Sequence, residues 1–127
     1  MSAKILLAED NATNRYLATF LLEKAGFTII HAHNGAEVLR LALSEQPDLV
    51  LMDIQMPEMD GYEAARSIHA EPALAGLPIV AVTSYAMTRD REKALQLGFA
   101  GYIEKPIQPQ TFAREISQFL AGKAAAP

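Results

Sequence analysis

Apolar residues in this chain fall into short unbroken runs, separated by stretches with helical three- and four-residue spacing. Ile5-Leu6-Leu7-Ala8 is the first run and ends at Glu9-Asp10; it predicts strand one. From about Thr13 the pattern turns helical, with Leu17, Phe20, Leu21 and Lys24-Ala25 on one repeat and Gly26 as the stop. Phe27 to His31 is β-branched and aromatic, and predicts strand two. Asn34 followed by Glu37 is a capping-box-like start for helix two, which continues through Val38, Leu39, Leu41 and Ala42 to Gln46-Pro47. Asp48 to Asp53 predicts strand three; Leu49 to Met52 show no polar alternation, as expected of a strand buried on both faces. The loop Pro57 to Gly61 has turn chemistry, and Asp60 with Glu63 starts helix three, which ends before Pro72. After a linker from Ala73 to Leu77, Pro78 to Thr83 predicts strand four, 88–97 helix four with Gly98 as its stop, and Ala100 to Glu104 strand five. Pro109 suits a first helical turn, and Phe112, Ile116, Phe119 and Leu120 form one face of helix five. Ala121 to Pro127 reads as a frayed small-residue tail.

Strand then helix, five times over with short loops, implies an α/β protein with a parallel sheet, right-handed crossovers and helices on both faces. In such sheets ligands bind at the carboxyl ends of the strands. The length of 127 residues suits one domain, and a hydrophobic fraction of 50% is enough for a core. Formal net charge is −4 with no basic stretch unbroken by acids, so nucleic acid is not an expected partner. Without cysteine there are no disulfides and no thiolate metal sites. The first residues resemble neither a signal peptide nor a membrane span, which leads us to expect a cytoplasmic protein with no membrane partner.

The strand ends carry the candidate chemistry. Strand one ends in Glu9-Asp10, strand three in Asp53, strand four in Thr83-Ser84 and strand five in Glu104-Lys105-Pro106. An isolated strand-terminal Asp would do no more than cap a turn; four converging polar ends form a constellation. Glu9, Asp10 and Asp53 bring three negative charges if ionised. Two such charges about 4 Å apart repel by roughly 4 kcal/mol at an effective dielectric near 20. Lys105 offers one positive charge, and a divalent cation would offset the remainder. Hard oxygen ligands suit Mg²⁺, or Mn²⁺, and not zinc. A phosphoryl group arriving at Asp53 needs its oxygens neutralised and held in line. Mg²⁺ between Asp10 and Asp53 could take one oxygen, Lys105 a second, and the Thr83 hydroxyl with backbone N–H groups after Asp53 the third.

Glu9-Asp10-Asn11, Asp53 with Met56-Pro57 and Asp60-Gly61, Thr83-Ser84, and Tyr102 followed by Lys105-Pro106-Ile107 together resemble the receiver domain of two-component response regulators, the CheY-like family. The resemblance spans about Lys4 to Leu120. It implies a single-domain, doubly wound (βα)5 flavodoxin-like fold with strand order 2-1-3-4-5. A receiver domain over 1–122 and a short flexible tail over 123–127 are expected. The resemblance implies Asp53 as phosphoacceptor, Asp10 and Asp53 as Mg²⁺ ligands with the Gln55 backbone carbonyl, and Glu9 acting through a metal-bound water. It also implies Thr83 as switch hydroxyl, Lys105 as phosphate-pairing lysine before a cis bond to Pro106, and Tyr102 as aromatic switch. Gln55 and Tyr85 occupy the positions that tune acyl phosphate hydrolysis in the family.

The implied function is a phosphorylation-controlled switch that catalyses only its own phosphorylation and dephosphorylation. A histidine kinase or histidine phosphotransfer protein would donate to Asp53, and a surface built from helix four, strand five and helix five would then act on a downstream protein. His31, His33 and His69 form no metal-binding pattern and none looks like a phosphohistidine donor. Phosphatases of the haloacid dehalogenase type also use a strand-end Asp with Mg²⁺, but they generally need an acid two residues on; here that residue is Gln55, and the chain has no room for a substrate cap. A passive phosphate sink needs the same residues as a switch. An interaction module that works without phosphorylation does not need the acid set. A stand-alone regulator is the expected form.

Overall fold

The computed structural model describes residues 3–53, 61–83, 92, 96 and 98–125, the last five of these in backbone only. Five strands, β1 (Lys4–Ala8), β2 (Thr28–Ala32), β3 (Leu49–Asp53), β4 (Ile79–Thr83) and β5 (Gly101–Glu104), form one sheet of order β2-β1-β3-β4-β5. Every pairing is parallel. The described helices are α1 (Ala12–Lys24), α2 (Gly35–Glu45), α3 (Gly61–Ala70) and a C-terminal helix (Phe112–Ala125), with a 3₁₀ turn at Pro72–Leu74. The expected fourth helical segment lies outside the described residues except for Glu92 and Gln96, both helical.

Because successive strand residues face opposite ways, the strands feed two cores. Leu6, Ala8, Val50, Met52, Ile79 and Ala81 pack under α2 and α3 with Val38, Ala65 and Ile68. Ile5, Leu7, Leu49, Leu51, Val80 and Val82 pack on the other face with Ala18 and Leu22 of α1 and Phe112 and Ile116 of the C-terminal helix. All five residues of β3 are buried, and so are all five of β4, which is why both read as unbroken apolar runs. Truncating Leu51 to Ala would cost roughly 2–5 kcal/mol in lost burial and cavity formation.

Local signals set the helix ends. Asn11 caps α1 by accepting from the Asn14 N–H at 3.0 Å, and Asn34 caps α2 by accepting from the Glu37 N–H at 2.9 Å. The Glu37 side chain reaches back to the His33 N–H at 3.2 Å, one residue before the cap. Gly26, at φ +100°, closes α1 in the left-handed region.

Four details depart from the sequence reading. The Phe27 N–H is taken by the Leu22 carbonyl at 3.0 Å, so Phe27 belongs to the closure of α1 and β2 starts at Thr28. Phe20 does not face the core. The buried stripe of α1 is centred on Ala18 and Leu22, and a residue two positions from each is turned about 200° away. Pro109 lies in the turn that precedes the C-terminal helix and not in the helix itself. That helix also runs on to Ala125. A segment of alanine, glycine and lysine looks like a tail by complexity, but alanine is the strongest helix former.

Candidate functional site: an acid cluster with one lysine

Sheet register brings the strand ends together. Ala8 pairs with Met52 and Asp53 with Val82, so Glu9 leaves β1 beside the last residue of β3 and Thr83 stands one step beyond it. Thr83 pairs with Glu104, and the ladder is extended by the Lys105 N–H donating to the Thr83 carbonyl at 2.8 Å. Four segments far apart in sequence thereby meet at one sheet edge.

One carboxylate oxygen from each of Glu9, Asp10 and Asp53 lies within 4.8 Å of the others. Glu9 and Asp53 are each only 4% exposed, whereas Asp10 faces solvent. The Lys105 ammonium donates to Asp53 Oδ2 at 2.9 Å and to Glu9 Oε1 at 3.2 Å. Burial pushes the Glu9 carboxyl up to about 7, aided by its hydrogen bond with Asp53 and that group's charge, and opposed by Lys105. For Lys105, burial acts to lower the pKa, but the hydrogen bond to Asp53 and the charges of Glu9 and Asp53 outweigh it and hold the ammonium above the ordinary lysine value. One lysine therefore does not neutralise the cluster, and Glu9 compensates by keeping its proton near neutral pH. A hard divalent cation would do the same work. All the donors are oxygens, two withdrawn from water and one open to it, which fits Mg²⁺.

Thr83 is fully buried at the end of β4. By strand alternation it shares the α3 face of the sheet with Ile79 and Ala81, and Ala81 pairs with Tyr102 on β5. Tyr102 is half-buried and packs against that same core. The switch pair expected from sequence thus lies on one face of adjacent strands. The Lys105–Pro106 bond is cis. Gln55, Ser84 and Tyr85 lie outside the described residues, as do Met56, Pro57 and Asp60.

Arg15 went unnoticed in the sequence. Its Nη1 donates to the Glu9 carbonyl at 3.2 Å, which ties the first turns of α1 to the backbone of the site. Its only signal was a basic residue one turn into the helix after the acid pair. The histidines stay apart from the cluster: His31 Nε2 is 3.0 Å from Thr19 Oγ1, and His69 Nε2 is 3.1 Å from the Leu77 carbonyl.

The response regulator receiver domain model matches residues 5–117. The chain belongs to this family. As a receiver domain of a two-component system it has full-length relatives: it is 39% identical over 120 residues to the polar-differentiation response regulator DivK of Brucella anthropi, covering 94% of this chain and 98% of that protein. DivK of Brucella ovis is 38% identical over 120 residues. Among solved structures, the receiver domain of a signal transduction histidine kinase from Syntrophus aciditrophicus is 31% identical with a TM-score of 0.86, covering 99% of this chain and 96% of that one. The chemotaxis response regulator CheY4 of Vibrio cholerae shares the fold, with a TM-score of 0.88 at 24% identity over 94% of this chain and 99% of that one. Receiver domains bind Mg²⁺ at an acidic pocket, and the structure holds an acidic cluster of Glu9, Asp10 and Asp53 at this sheet edge. No helix among the described residues is long and apolar enough to cross a membrane.

Proposed function

We propose that this receiver domain is a signalling switch that accepts a phosphoryl group on Asp53 from a phosphohistidine of a histidine kinase or histidine phosphotransfer protein. The observation that carries this reading is the Lys105 ammonium held 2.9 Å from Asp53 Oδ2 inside a cluster of three acids. A carboxylate so placed has a cation beside the oxygen that would attack phosphorus. The Asp53 oxygen forms the new bond, the P–N bond of the donor breaks, and the electron pair stays on the imidazole nitrogen, which takes a proton from solvent. Hydrolysis later returns the carboxylate and releases inorganic phosphate.

Asp10 and Asp53 would hold Mg²⁺, with the Gln55 carbonyl as a further ligand and Glu9 acting through a bound water. When bound, the ion neutralises charge on the transferring phosphoryl group. Lys105 pairs with a phosphoryl oxygen once Asp53 is modified. The Thr83 hydroxyl bonds to another, and Tyr102, on the same face of the sheet, rotates toward the space this opens. A pre-existing equilibrium between two surfaces then shifts. The surface that changes spans the fourth helical segment, β5 and the C-terminal helix, and it acts on a downstream protein in the cytoplasm, not on nucleic acid or a membrane. The chain turns over no separate substrate; Gln55, which cannot serve as general acid or base, stands where a phosphatase of this kind needs an acid.

The test is chemical. Label transferred from an autophosphorylated histidine kinase should be released by neutral hydroxylamine, as an acyl phosphate is. Label that survives hydroxylamine would sit on another side chain and contradict the assignment.

A further inference from the structure

We propose that His69 is a positioning residue of the switch: with Tyr62 it clasps the entry of β5 to α3 and so holds back the phosphorylated surface; the inference rests on Asp53 being the acceptor. His69 stands half-buried in the last turn of α3, with Nε2 3.1 Å from the Leu77 carbonyl. A carbonyl only accepts, so Nε2 carries the proton and donates. The next two carbonyls, those of Pro78 and Ile79, accept from the Val50 and Ala100 N–H groups at 2.9 and 2.8 Å. The imidazole thus extends, from a helix, the row of bonds that seats the start of β4. Its other edge lies against Gly98. A Cβ on Gly98 would come within 3.2 Å of Nδ1, and the φ of +92° at this residue already calls for glycine. Tyr62 makes the second contact. Its ring meets the Phe99 ring edge-on, with centroids 5.9 Å apart and planes 80° apart. Helix positions seven apart differ in direction by only about 20°, so Tyr62 and His69 share the face of α3 that buries Ala65.

The place of this joint gives it a task. Gly98 follows the fourth helical segment, and Phe99 leads within two residues into β5. These are two of the three elements of the surface proposed to change, whereas α3 is anchored in the core by the fully buried Ala65 and Ile68. A moving surface and a fixed helix therefore meet at Gly98 and Phe99. Asp53 is here an unmodified carboxylate paired with Lys105, so the clasp belongs to the unphosphorylated surface. Phe99 is buried in the same core against which Tyr102 packs. Rotation of Tyr102, three residues beyond Phe99, draws the entry of β5 away from α3 and costs the His69 and Tyr62 contacts. Contacts made in only one of two states set the ratio between them.

Affinity for a phosphoryl mimic reads that ratio, because a ligand of the minor state binds more tightly as that state becomes populated. His69→Leu keeps bulk and removes the donor. At saturating Mg²⁺ its dissociation constant for beryllofluoride should fall about fivefold, the effect of losing one hydrogen bond from the competing state. Its amide signals from Gly98 to Glu104, recorded without the mimic, should move along the line that joins free and mimic-bound wild type. His69→Gln, whose amide N–H can stand in for Nε2–H, should return both readings toward wild type. Tyr62→Leu should shift both in the same direction as His69→Leu, and it carries the test alone if His69→Leu does not fold. A residue that only supports the fold would weaken binding or leave it unchanged when removed. Unchanged or weaker affinity in the folded variants therefore overturns the proposal, and so does a His69→Gln variant that behaves like His69→Leu. Beryllofluoride binding that survives Asp53→Asn would sink the assignment of Asp53, and the clasp with it, whatever the His69 variants do.

Discussion

Lys105 and Asp53 are joined by a 2.9 Å hydrogen bond although 52 residues separate them, and the Lys105 side chain is 15% exposed where that of Asp53 is 4%. This contact balances part of the charge in the metal-free cluster and places an ammonium beside the Asp53 carboxylate, the proposed acceptor. Removing one partner of a buried ion pair leaves the other uncompensated. Lys105→Met should therefore destabilise the metal-free protein at pH 8 by about 2–4 kcal/mol in urea denaturation. At pH 5, where Glu9 keeps its proton, the loss should be smaller. An equal loss at both pH values would show that Lys105 does not serve the acids.

Glu9 predicts how stability depends on pH. Its carboxyl titrates at about 7 in the folded chain and near 4.5 when unfolded. Between those values the folded state holds the extra proton, so stability is greatest below 4.5 and falls as pH rises through 7. Lys105, raised above its ordinary value, keeps its own proton throughout this window, so its own titration adds no slope here and the slope comes from Glu9. Metal-free protein should lose about 2–3 kcal/mol of unfolding free energy from Glu9 between pH 5 and pH 8. Glu9→Gln should flatten that part of the profile; a profile unchanged by the substitution would contradict the assignment.

Mg²⁺ should reverse this penalty. The ion competes with the proton for the cluster, so its affinity should rise from pH 5 to pH 8. At about 100 times its dissociation constant it should add roughly 2.7 kcal/mol of stability. Asp10→Asn and Asp53→Asn should each abolish most of the thermal shift seen on adding the ion, and chelation should return the wild type to its metal-free midpoint.

Thr83 and Lys105 are expected to transmit more than they bind. Thr83→Ala and Lys105→Ala should still accept phosphate on Asp53 from acetyl phosphate, but amide shifts in the fourth helical segment and β5 should no longer follow it. Shifts of wild-type size in either variant would remove that residue from the switch.

Gly101 has a purely steric role. A Cβ at this position would run into the Phe119 ring, which seats the C-terminal helix on β5. Gly101→Ala should cost about 1–3 kcal/mol by overpacking, measured by urea denaturation. Phe119→Leu should recover part of that loss.

The fold and the site differ in how they could be read from the chain. Leu49 to Met52 announced a strand buried on both faces because no polar residue interrupts the run, and the two cores on either side of β3 are the physical cause. Glu9, Asp10, Asp53, Thr83 and Lys105 were legible because parallel strands deliver their carboxyl ends to a single edge. Strand order was not contained in local periodicity; it came with the family resemblance. Phe20 misled because helical spacing alone does not say which of two apolar stripes meets the sheet. The contact of Phe119 with Gly101 is packing between distant segments, to which no local signal points, and the bond from Arg15 to the Glu9 carbonyl is signalled only by a basic residue one turn into the helix after the acid pair.

The central claim is tested most directly by weighing the protein. After incubation with Mg²⁺ and acetyl phosphate, the wild-type chain should gain the mass of one phosphoryl group, and Asp53→Asn should gain none. An unchanged wild-type mass, or the same gain in Asp53→Asn, would contradict the assignment of Asp53 as the acceptor.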